Sequence, residues 1–77
     1  MIITQYKTSD IVLASSLKVC GYELDSIELV GNKGTFVFGN VDKQILLDFD
    51  LGKMQVEPVF FNNTIKQLTT SVRRMLT

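Results

Sequence analysis

Phe61, Ile65, Leu68, Val72 and Met75 recur at alternating intervals of four and three residues. That spacing follows the turn of an α-helix and predicts a helix with one narrow apolar side. Pro58 suits its first turn, where the missing N–H has no intrahelical partner to lose. Arg73 and Arg74 fall in the last turn, where cations favour the helix dipole. The apolar side packs most simply on a second helix and on one face of a sheet.

The second helix is read over residues 9–20. Thr8 and Ser9 are competent N-caps, and Asp10 then lies in the first turn. Leu13, Leu17 and Cys20 repeat at helical spacing, with Ile11 and Ala14 beside them. Gly21 offers a left-handed stop, after which Tyr22 packs back on Leu17 as a Schellman motif requires.

A hairpin follows, with strands at about 24–31 and 34–39. Taking Asn32-Lys33 as the two-residue loop between Gly31 and Gly34 sets Leu29 opposite Phe36 and Ile27 opposite Phe38. Asn40 then caps a helix to about Leu51, closed by Gly52, with Val41, Ile45 and Phe49 on one side. Residues 44–49 also tolerate an extended strand; the helical spacing favours helix. Ile2-Ile3-Thr4 adds a short strand beside the hairpin. Together these elements predict a small single α+β domain over residues 1–77, in α-β-β-α-α order, with the hairpin packed against helices.

The chain has 77 residues, 45% of them hydrophobic, and a formal net charge of zero; its mean hydropathy is +0.20. A domain this small hides only about 60–65% of the surface its unfolded chain exposes. Its apolar side chains therefore demand either a full core or a partner. Zero net charge gives no global attraction to nucleic acid or an anionic membrane. The charge is nonetheless uneven. Residues 24–52 carry two cations against five carboxylates, and residues 53–77 carry four against one. Such polarity favours head-to-tail contact, although exposed charges are screened within about 10 Å.

No histidine is present, which removes the commonest general base and the commonest zinc ligand. Asp48 and Asp50 diverge on a helix and read as solvated acids. Cys20 is the single cysteine, so no disulfide forms within the chain and a reducing, cytoplasmic setting is expected. A cysteine at a helix C-terminus also gains no thiolate stabilisation from the dipole. Ser15 and Ser16 lack a base and read as polar groups on a helix exterior. No catalytic residue, metal site or cofactor is expected, and no apolar run is long enough to span a membrane.

Gly31-Asn32-Lys33-Gly34 compares with the GxxG loop of KH domains, which clamps a nucleic-acid backbone. That loop joins two helices, whereas these flanks read as strands, so the glycines are better spent on the turn. Lys66, Arg73 and Arg74, with Thr69 and Thr70 between them, form a thin basic footprint that suits weak contact with phosphates. Adjacent apolar pairs occur at Val12-Leu13, Leu46-Leu47 and Phe60-Phe61. Neighbours on a helix diverge by about 100°, so one core face cannot bury both members. Val12, Leu46, Leu47, Phe60 and Phe61 are thus candidate interface residues.

Tyr6-Lys7-Thr8-Ser9-Asp10, with an apolar helix ending at Gly21-Tyr22, resembles a family of small bacterial and phage proteins, a domain of unknown function. Phe36-Val37-Phe38, Phe49-Asp50-Leu51-Gly52 and Val56-Glu57-Pro58 follow in that family's order, so the resemblance spans nearly the whole chain. It implies the α-β-β-α-α layout and a prokaryotic or phage origin, and it carries over no functional residue. The expected role is a non-enzymatic protein-interaction module that self-associates as a homodimer or higher oligomer. Another protein is a possible partner. The alternative is a weak nucleic-acid binder using its basic C-terminal helix.

Overall fold

A computed structural model describes residues 5–76. The elements are β1 (Tyr6–Thr8), α1 (Ile11–Val19), β2 (Leu24–Val30), β3 (Lys33–Phe38), α2 (Lys43–Asp50) and α3 (Pro58–Leu76). The α+β class is as expected. The strand proposed at residues 2–4 lies outside the described residues; the strand beside the hairpin is Tyr6–Thr8. Sheet order is β1-β3-β2, with β3 antiparallel to both neighbours. The outer strands therefore run parallel to each other, and α1 crosses between them as in a split βαβ unit.

Each helix boundary has a local cause. Asp10, not Thr8 or Ser9, caps α1: its Oδ1 accepts from the Val12 and Leu13 amides at 2.9 and 3.3 Å. Thr8 Oγ1 accepts instead from the Asp10 amide. Gly21 at φ +101° ends the helix, with Tyr22 N donating to Leu17 O and Gly21 N to Lys18 O, the two bonds of the expected Schellman stop. Asp42, rather than Asn40, caps α2 through the Gln44 amide. Gly52 and Lys53 close α2 by the same pair of bonds, to Phe49 O and Asp48 O. Residues 44–49 are helical, and Val41 stands just outside, where with Leu46 it occupies the two positions of a hydrophobic staple. Pro58 opens α3, and the Glu57 carboxylate accepts from the amides of Val59 and Phe60 at 3.1 and 2.6 Å.

The hairpin register differs from the expected one by two residues. Its loop is Gly31-Asn32, and Leu29 pairs with Gly34, Ile27 with Phe36 and, past a bulge, Leu24 with Phe38. Only the first loop residue has positive φ, Gly31 at +64°, which is the pattern of a type II′ turn. Because side chains alternate with a period of two, the shift leaves Ile27, Phe36 and Phe38 on the same face. Gly34 is needed elsewhere. A Cβ there would lie 2.7 Å from Val72 Cγ2, so the glycine lets α3 settle on the sheet.

Leu13, Ala14 and Leu17 from α1, Phe36 and Phe38 from β3 and Leu68 from α3 form the core. Val37 is also buried but points to the other face. There Lys7 Nζ reaches Glu28 Oε1 at 3.2 Å, joining the two outer strands. Both side chains are about half exposed, so the pair contributes about 1 kcal/mol at most.

Five consecutive residues of α1, Leu13 to Leu17, are buried. They point in every direction around the helix, so its middle is covered on all sides. Ser15 and Ser16 are therefore interior, correcting their placement on a helix exterior. Small side chains there let neighbouring elements approach. Ser16 Oγ donates to Val12 O at 2.8 Å, whereas Ser15 Oγ is buried without a partner. An unsatisfied buried hydroxyl costs about 1–3 kcal/mol. Ser15→Ala is accordingly expected to raise unfolding stability by about 1 kcal/mol in urea titration. A loss of stability would show that the hydroxyl finds a partner in solution.

Candidate functional site

The α3 part of the candidate apolar surface goes with a mismatch in length. With 19 residues, α3 extends about 28 Å, while the nine residues of α1 extend about 14 Å. Residues at both ends of α3 are left exposed. Leu68 and Thr64 are buried at its middle, while Val59 and Phe60 are each 65% exposed and Met75 is 41% exposed. Met75, read as part of the apolar side, thus leaves the core. Each adjacent apolar pair divides. Val12 is 45% exposed beside buried Leu13, Leu47 is 49% exposed beside half-buried Leu46, and Phe60 is exposed beside half-buried Phe61. Leu46 packs against the core, so it is less available than its neighbour. Leu51 and Val30 are exposed as well. Sequence reasoning missed Val59, which stands in the first turn of α3 and is exposed.

The basic residues meet in a different place. A cleft of about 430 Å³ between α1 and α3 is lined by Lys66, Thr70 and Arg74 on one wall and Lys18 on the other, with Leu24 and Leu68 in its floor. Gln67 and Ser71 complete it. Arg73, grouped with Lys66 and Arg74 by sequence, lines instead a groove of about 240 Å³ near the hairpin tip, with Thr69 and Val72. Lys18 could not be foreseen, because it joins the others only when α1 packs on α3.

The remaining polar groups do not converge. Asp48 Oδ1 accepts from Gln44 Nε2 at 2.9 Å within α2, and Asp50 is exposed. Gly31 and Gly34 flank a hairpin between strands, not a helix–helix loop. Among the described residues, no three histidine, cysteine or acidic side chains are grouped so as to hold a metal ion. Cys20 is exposed. No described helix is long and apolar enough to cross a membrane. No protein-family model, curated protein or solved structure matches the chain.

Proposed function

We propose that this protein is a non-enzymatic interaction module that self-associates through apolar side chains left in water by its helices. One observation carries the reading: Val12, Leu47 and Phe60 remain exposed after the core has formed. Removing such groups from water is favourable at roughly 25 cal/mol per Å², and an aromatic such as Phe60 is the usual anchor of an interface. A second copy is the proposed partner, in a reducing cytoplasmic setting where exposed Cys20 stays a thiol.

Light scattering coupled to size exclusion tests this at high micromolar concentration. The expected mass is that of a dimer or larger species. Phe60→Ser combined with Leu47→Gln is expected to weaken association about thirty-fold or more, the effect of losing an anchor of about 2 kcal/mol. Both side chains face solvent in the single chain, so the variant keeps its circular dichroism spectrum. A strict monomer in the unmodified protein would refute the proposal.

A further inference from the structure

We infer that the cleft between α1 and α3 binds the phosphate backbone of a single-stranded nucleic acid. Most of the polar side chains lining it are hydrogen-bond donors: two ammonium groups, a guanidinium, an amide and the Thr70 hydroxyl, while the Ser71 hydroxyl donates to Gln67 O within the helix. Among the described residues no carboxylate lines the cleft, and neither α1 nor α3 contains an acidic residue. The chain's eight carboxylates all lie outside these two helices. Within α1 and α3 the charged side chains are thus all cationic, and the nearest carboxylates in sequence, Asp10 and Glu57, are held at the helix N-termini.

The arrangement suits a chain of phosphates better than a single one. Lys66, Thr70 and Arg74 step along α3 in fours, so their Cα atoms span about 12 Å along the axis. Lys18 faces them from α1, so a strand lying in the cleft meets donors on both sides. Half-buried Leu24 adds an apolar surface for sugar and base edges. Contacts of this kind hold the backbone and carry no sequence information, so binding is general, weak and steeply dependent on salt.

Fluorescence anisotropy with a labelled oligothymidylate about twelve nucleotides long tests the inference, starting from about 20 mM salt. Three phosphate contacts on a single strand give a log–log salt slope of about −2, or roughly fifteen-fold weaker binding between 50 and 200 mM. Lys18→Gln, Lys66→Gln and Arg74→Gln are each expected to flatten the slope by about 0.7. Arg73→Gln removes an identical charge from outside the cleft and leaves slope and affinity unchanged. Phe60→Ser with Leu47→Gln also leaves them unchanged, which separates this site from the apolar surface. No binding at the lowest salt, a flat salt dependence, or an Arg73→Gln effect equal to that of Arg74→Gln would overturn it. So would thymidine monophosphate binding as tightly as the strand. Salt-sensitive self-association in place of strand binding would assign the cleft to the acidic segment of a second copy and likewise overturn it.

Discussion

Phe38→Ala is expected to lower the unfolding free energy by about 3–5 kcal/mol, the cost of deleting a fully buried aromatic ring. Phe38 is 0% exposed, on the central strand, with Tyr6 opposite on one side and Leu24 on the other. It belongs to the cluster that joins β3 to α1 and α3, so a cavity there loosens both layers. A domain of this length has only about 4–12 kcal/mol in total. The variant is therefore expected to be largely unfolded at temperatures the parent tolerates. Leu29→Ala is the informative contrast. Under the register expected from sequence, Leu29 would face Phe36 and its loss would resemble a core deletion. In the observed register it faces Gly34 and is only half-buried, so about 1 kcal/mol is expected. Urea titrations of the two variants decide the matter, and comparable losses would contradict the observed pairing.

That register shows where local signals end. Gly21-Tyr22 and Pro58 act within one turn of chain, through positive φ or a missing N–H, and the boundaries they imply are the ones found. Helical spacing settled α2 for the same reason. Gly31 and Gly34, by contrast, both satisfy a tight turn, and nothing within the hairpin separates the two loops. The choice rests on α3, whose Val72 sits where a side chain at position 34 would be. β1 escaped notice because three residues are too few to display alternation. Burial of Ser15 and Ser16 likewise depends on what surrounds α1.

The candidate surfaces divide along the same line. Adjacent apolar residues on a helix cannot share a direction, so it could be argued before any fold was known that each pair leaves a member exposed. That Leu47 and Phe60 are those members, with Leu46 and Phe61 half-buried, is set by the packing. The basic cleft could not be argued even that far. Lys66 and Arg74 are eight residues apart on one helix, but Lys18 reaches them through tertiary packing alone, and Arg73 is turned into a separate groove.

Gly34→Ala tests the contact on which both the register and the seating of α3 depend. The backbone at Gly34 does not require positive φ, so alanine meets no conformational penalty there. It even gains about 0.4–1 kcal/mol by restricting the unfolded chain. Against this stands the approach of Val72 Cγ2 to 2.7 Å and Cγ1 to 3.1 Å from the new methyl. Val72 is β-branched and has few rotamers with which to retreat, so α3 must lift or the strand must shift. Overpacking of this kind costs about 1–3 kcal/mol, and a net loss is expected. Val72→Ala alone removes part of the core and costs about 0.5–2 kcal/mol. In the double variant the alanine at 34 fills the space the valine leaves. The pair should therefore be less destabilised than the two losses combined, by about 1 kcal/mol or more. Strict additivity in a denaturation cycle would mean that α3 does not rest on Gly34. The cleft beside Leu68 would then lack the fixed wall on which the inferred strand binding depends.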